Sequence, residues 1–299
     1  MVALWPGDDV PKGFPRTGDA YRGLGAWVDA FDYGPAYQGD GDAPVITPED
    51  VEVLADHGVR TLFIQAARLD ARSPEMLVDE ELLGEFLEEA HRRDIRVVGW
   101  YLPKLADVAD DLAHLRAIAE FESDDGGHRF DGLALDIEWT EDVPDHAERN
   151  RQLIDLSEKL DAAVGDAAVG AIVLPAVQLE VVNTTLWPDF PYRQLADSYD
   201  VWLPMAYWTF RSEESGFRDA HAYTTESVRR LRTNLGDPDA AVHPIGGIGD
   251  RATEPDYAAF LRALDESDAV GGSIYDLRTM SLGGWRVFER AFAQGVPQR

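Results

Sequence analysis

The segment Phe130-Asp131-Gly132-Leu133-Ala134-Leu135-Asp136-Ile137-Glu138-Trp139 carries the densest chemistry in the chain. Its apolar run reads as a strand, whose side chains point to opposite faces in turn. Leu133, Leu135 and Ile137 then share the face toward a helix layer, and Ala134, Asp136 and Glu138 share the other. The two carboxylates stand about 6.5–7 Å apart along such a strand. Acids in an apolar strand are costly unless they are used or paired. Like charges this close also raise one pKa, which keeps a carboxyl protonated near neutrality as a general acid. The alternative is a clasp with an arginine from a loop.

Other chemistry-bearing residues fall at the ends of apolar runs or just after them. These are Asp29 and Asp32, Gln65 and Arg68, Trp100 and Tyr101, Tyr207 and Trp208, and Tyr275 and Asp276, with Glu180 a few residues beyond a fifth run. Carboxylates beside aromatic rings suit sugars: rings pack on the C–H faces of a pyranose and carboxylates accept hydroxyl hydrogen bonds. Trp100 and Trp208 are the expected sugar platforms, with Tyr207, Asp29, Tyr275, Asp276 and Glu180 as further substrate contacts. No second histidine is at hand to build a metal site, and there are no cysteines. No metal or cofactor is therefore expected; oxygen ligands from Asp29, Asp136 and Glu138 form the one metal alternative.

These residues must be held by the elements around them. Strands are expected at 23–29, 60–65, 95–101, 132–138, 168–174, 200–206, 242–246 and 271–275. Each is followed by a helical stretch. Thr47-Pro48-Glu49-Asp50 is a helix start, and 79–93 places Leu82, Leu83, Phe86, Leu87 and Ala90 on one stripe. Eight strand–helix units imply parallel strands with helical crossovers, and their number and length match a (β/α)8 TIM barrel. A doubly wound sheet is the rival. Yet Gly23-Leu24-Gly25 lies inside the first strand rather than after it, so no phosphate-binding fingerprint follows that strand. The expected organisation is a single-domain α/β barrel over 23–299, catalytic, with an N-terminal extension over 1–22. In such a barrel the site lies at the C-terminal strand ends.

Several residues read as structural. His57 and His91 sit near helix C-termini, where the helix dipole favours a cation, and His243 begins a strand at the opposite face. Arg149 and Arg151 read as surface partners of the acids in 141–148. The Gly/Asp/Tyr-rich loop 32–46 is expected to wall one side of the cleft.

Composition narrows the partners. Asp+Glu is 56 against Lys+Arg 27, a formal net charge of −29. Such a field repels phosphate backbones and anionic lipid, so neither nucleic acid nor a membrane surface is an expected partner. The acids are 35 Asp and 21 Glu, while Lys12, Lys104 and Lys159 are the only lysines. That balance suits a halophilic source, where concentrated salt screens self-repulsion. No signal peptide is visible in the first residues, and compartment and oligomeric state stay open.

The 130–139 segment resembles the fourth-strand signature of glycoside hydrolase family 18, the chitinases and their relatives, an apolar residue followed by Asp-Gly-x-Asp-x-Asp-x-Glu. Asp131, Gly132, Asp136 and Glu138 match it; Ala134 replaces the middle acid. Met205-Ala206-Tyr207 resembles the family's sixth-strand Met-x-Tyr-Asp, with Trp208 in place of the Asp. Gly271-Gly272-Ser273-Ile274-Tyr275-Asp276 resembles its eighth-strand Gly-Gly run ending in an aromatic residue. The resemblance implies that Glu138 is the general acid on the glycosidic oxygen and that Asp136 orients a substrate 2-acetamido group, which attacks the anomeric carbon. It implies that Tyr207 hydrogen-bonds the same group. The Ala134 and Trp208 departures fit another sugar or a non-catalytic carbohydrate-binding relative. A second resemblance is to glycoside hydrolase family 25, which pairs an Asp at the first strand's end with a later Asp-x-Glu. Here those are Asp29 and Asp136-Ile137-Glu138. Both resemblances imply a glycosidase acting on a polysaccharide or glycan, with the acid at Glu138.

Overall fold

A computed structural model describes residues 18–39, 44–124, 126–165 and 167–297. Every paired strand in it is parallel: β1 Gly23–Val28, β2 Thr61–Ala67, β3 Arg96–Tyr101, β4 Gly132–Ile137, β5 Val169–Val173, β6 Val201–Pro204, β7 Ala241–Val242, β8 Ile245–Ile248 and β9 Gly271–Tyr275. They follow the order β7-β6-β5-β4-β3-β2-β1-β9-β8. The ninth strand arises from the expected seventh, which is split at His243-Pro244. Proline has no N–H to give to a ladder, so pairing breaks there. Its halves bridge the two ends of the sheet: β7 pairs with β6, β8 pairs with β9, and Met205 bridges Ile245. The result is the expected (β/α)8 TIM-type barrel, in one domain.

Alternation sorts the side chains into two apolar layers. Leu133, Leu135 and Ile137 join the layer between strands and helices, whereas Ala134 joins Trp27, Phe63, Val98, Trp100, Ile172 and Leu203 inside the barrel. Helix starts draw on the abundant aspartates. Asp79, Asp107, Asp145 and Asp219 each accept a first-turn backbone N–H, and Thr47 with Asp50 forms a capping box.

The floor of the barrel is sealed by residues expected to lie in an extension. Of 1–22, residues 1–17 lie outside the described ones, and the turn Gly18–Tyr21 plugs the bottom. Tyr21 donates its hydroxyl to Leu133 O at 2.6 Å. The plug requires Gly170, where a Cβ would sit 2.7 Å from the Tyr21 ring. His243 lies beside it, with Nδ1 2.7 Å from Tyr21 O and Nε2 3.1 Å from Ser273 Oγ. Burial pushes its pKa down to about 4. The neutral ring therefore donates from Nδ1 and accepts from Ser273, which accepts in turn from Trp27 Nε1 at 2.8 Å. This chain of bonds anchors Trp27, and with it the underside of the site.

Two structural expectations need different partners. His91 bonds Asp131 Oδ2 at 2.9 Å, and that oxygen also accepts from Val97 N at 2.8 Å. Asp131 thus fixes the start of β4 against β3. Arg149 is not a surface partner of acids. It is buried, donates to the carbonyls of Thr140, Val143 and Leu186, and stacks on Trp187 at 4.3 Å. Desolvating a guanidinium is tolerable here because carbonyls and a ring face receive it. Arg151 does pair with Glu148, at the surface.

Candidate active site

A cavity of about 370 Å³ opens at the C-terminal ends of the strands. Asp136 and Glu138 line it from β4 and the residue just past it, Tyr207 from the segment that follows β6, and Trp100 from β3. Asp29 and Tyr275 line it after β1 and at the end of β9. The rings form a continuous wall: Trp100 to Trp27 at 6.2 Å, Trp27 to Tyr275 at 6.4 Å, Tyr275 to Tyr207 at 5.9 Å.

The carboxyl pair is electrostatically loaded. Asp136 is buried, and its Oδ1 has no hydrogen-bond partner among the described residues. Burial, then the neighbouring Glu138 charge, raises its pKa well above the usual value, with Arg68 opposing. Glu138 is solvent-exposed at the mouth yet crowded by the cavity wall. Burial raises its pKa as well and Arg68 again opposes; solvent access moderates this effect relative to Asp136. Tyr207 is held in its neutral, donating form by burial first and by Glu138 and Asp136 next. The arginine clasp weighed from sequence is absent: Arg68 acts on both acids through space without an ion pair to either among the described residues.

Asp29 is tied more firmly. Its Oδ1 accepts from Phe31 N at 2.7 Å and its Oδ2 from Tyr275 Oη at 2.8 Å. Behind it, Asp29, Asp32 and Asp276 bring carboxylate oxygens within 4.8 Å of one another. Burial and Asp29 push Asp32 up to about 6, against the pull of Arg278 at 2.9 Å. Asp276 accepts from Thr279 N at 2.9 Å. This triplet, rather than Asp29 with Asp136 and Glu138, is the acid cluster that assembles among the described residues. Asp276 therefore stands behind the cavity wall and not on it.

Two further expected contacts are elsewhere. Trp208 is wholly buried against Phe260 at 5.2 Å, under the helix Glu254–Glu266. Past the end of β6, Trp208 opens the 3-10 turn Trp208–Phe210 and its indole joins the outer layer, where Gly246 makes room: a Cβ there would come within 2.9 Å of the indole. Glu180 ion-pairs with Arg230 at 2.8 Å on the helix Ala220–Leu235 and lines no part of the cavity. Of the loop 32–46, residues 40–43 lie outside the described ones; Tyr37 packs edge-on against Phe31 at 5.1 Å.

The structure adds residues that the sequence reading left out of the site. Phe31 and Phe210, 39% and 49% exposed, stand at the mouth, and Gln65, Arg68 and Trp139 line it. Gln65 and Arg68 were legible as residues at or just after a strand end, but nothing in their spacing marked them further.

No protein-family model and no curated protein matches the sequence. Solved structures do match the fold. A Group IV chitinase from Ostrinia furnacalis superposes with a TM-score of 0.64 at 10% identity, covering 93% of this chain and 100% of that one. A plant class V chitinase mutant from Cycas revoluta in complex with (GlcNAc)3 gives 0.63 at 11% identity, over 90% and 99%. An endo-1,4-beta-D-mannanase from Thermotoga petrophila gives 0.62 at 9% identity, over 85% and 88%. At these identities the likeness speaks for the backbone alone, a TIM-type barrel that this chain shares with these chitinases and the mannanase.

Proposed function

We propose that this chain is a retaining glycoside hydrolase acting on an N-acetylhexosamine-containing glycan. One observation carries the reading: Asp136, Glu138 and Tyr207 meet on a single aromatic-walled hollow at the catalytic end of the barrel. Glu138 gives its proton to the glycosidic oxygen as the bond to the anomeric carbon breaks. Asp136 holds the 2-acetamido N–H, so that the acetamido oxygen attacks that carbon from the opposite face. Tyr207 donates to the same acetamido oxygen. Water then attacks the anomeric carbon, and Glu138 recovers its proton from it. The raised pKa values support this role, because they keep a proton on the pair above the ordinary carboxylate range.

A second reading, a barrel that binds sugar without cleaving it, is favoured by Ala134. It leaves no acid beneath Asp136 on β4, and Asp136 Oδ1 has no hydrogen-bond partner among the described residues. The deciding experiment compares wild type with Glu138→Gln on chitin oligosaccharides, peptidoglycan and other glycans in concentrated salt, following reducing-end release. Loss of a general acid is expected to lower turnover by about 100-fold or more. Full turnover in Glu138→Gln sinks the hydrolase reading; binding with no reducing ends from wild type favours the second.

A further inference from the structure

The wall formed by β2 and β3 carries buried donors that have no hydrogen-bond partner among the described residues. Gln65 and Trp100 are register partners on these adjacent strands. Both line the cavity, and Gln65 Nε2 and Trp100 Nε1 are buried with no hydrogen-bond partner among the described residues. Gln65 is oriented by its other amide atom, Oε1, which accepts from Ala30 N at 3.1 Å, so the amide presents N–H to the site. Arg68 follows on the same wall, its Nε buried and without a hydrogen bond. It is the one cation lining the cavity among the described residues.

Arg68 reaches the cavity through an irregularity. The β2–β3 register shifts between Gln65 and Ala67, so Ala66 and Ala67 both join the outer layer and Arg68 takes the inward position. Such bulges re-aim side chains beside active sites. Its nearest carboxylate is already taken. Asp70 accepts from Arg72 Nε and Nη2 at 3.1 and 2.8 Å, and stands 3.6 Å from Arg68 Nε. Arg68 thus shares Asp70 with Arg72 and still has a buried Nε without a hydrogen bond among the described residues. An oxyanion can take that donor with those of Gln65 and Trp100 and a share of the charge together, which a single neutral carbonyl does not.

We propose that this wall is a specificity site for an anionic group on the bound glycan, a uronate carboxylate or a sulfate ester, held by Arg68 with Gln65 and Trp100. The inference names the substrate class of the site described above and rests on that reading. The site then recognises an acidic amino-sugar polymer rather than a neutral one. The distant field of the protein opposes such a ligand, but concentrated salt screens it, while a partly buried pair at contact distance is screened much less.

The test measures binding, so that it does not depend on turnover. The full chain carrying Glu138→Gln is titrated calorimetrically with tetrasaccharides of chitin, hyaluronan and keratan sulfate at one salt concentration. All three contain N-acetylglucosamine; they carry no charge, a carboxylate and a sulfate respectively. At least one charged probe is expected to bind about tenfold tighter than the chitin probe, the scale of one charge-assisted hydrogen bond. Which one does so identifies the anion. Adding Arg68→Met should remove that preference, the charged probe losing at least about fivefold more affinity than the chitin probe, and Arg68→Lys should restore part of it. Thermal melts verify that both variants are folded. The proposal is overturned if the chitin probe binds as tightly as the charged ones, or if Arg68→Met weakens all three alike. The latter result would make Arg68 a partner of Asp136 and Glu138 only. Failure of all three probes to bind removes the carbohydrate reading itself.

Discussion

Asp136 concentrates the conflict between stability and chemistry at a single residue. Its carboxyl is buried beside Glu138, with one oxygen unpartnered among the described residues. A carboxyl with a higher pKa in the fold than in the unfolded chain holds its proton more tightly when folded. Its penalty is therefore absent below about pH 4, the unfolded value, and grows as pH rises toward the folded value. Asp136→Asn, nearly isosteric, removes the ionisation. It is expected to melt about 2 °C or more above wild type at pH 8, what roughly 1 kcal/mol gives in a large domain, and to lose turnover. The gain should close as pH falls to 4. Melting curves across that range check it, and an equal gain at pH 4 would assign the effect to packing instead.

At the scale of the element, the informative cases are those where a local irregularity set the outcome. Alternation in 132–138 was enough to place Leu133, Leu135 and Ile137 outward and Asp136 in the cavity, because β4 is regular. Tyr207 and Trp208 also fall on opposite sides, but past the end of β6, where the turn Trp208–Phe210 and not strand parity carries the indole to the outer layer. Arg68 was not readable in this way. The shift in β2 changes the parity of the residues after Ala66, and no single-sequence pattern marks a bulge between alanines. Arg149 was hidden for a different reason: helical spacing put acids near it, but its partners are carbonyls of two loops, Thr140 with Val143 just before its helix and Leu186 far along the chain. It ties the loop after β4, which follows Glu138, to the loop after β5. Arg149→Met keeps the stem but strands those carbonyls, at an expected cost of about 2 kcal/mol. Arg151→Met, at the exposed pair with Glu148, should change stability by less than about 0.5 kcal/mol. Urea unfolding of the two variants tests the contrast. Equal losses would mean that Arg149 acts as a surface charge after all.

For the whole molecule, the governing quantity is a formal net charge of −29. The helix Glu80–His91 shows how crowded the acids are: Glu80, Glu81, Glu85 and Glu88 face Glu122 and Asp124 across one groove. Its cations are concentrated at one end, where Arg92 and Arg93 both turn to Glu89. Two opposing salt effects follow. Added salt weakens such surface pairs, each worth little, and it also screens the repulsion among the unpaired acids. With 56 acids to 27 bases, at least 29 acids have no basic counterpart, so repulsion is the larger sum. The screening length falls from about 10 Å at 0.1 M to about 3 Å at 1 M, below the spacing of carboxylates on neighbouring helices. The melting temperature is therefore expected to rise between 0.1 and 2 M KCl. It should rise by more than in sucrose of equal water activity, which stabilises compact states by exclusion without screening charge. A flat or falling curve in KCl, or an equal rise in sucrose, would remove charge repulsion as the reason for the acidic surface and leave the halophilic assignment without support.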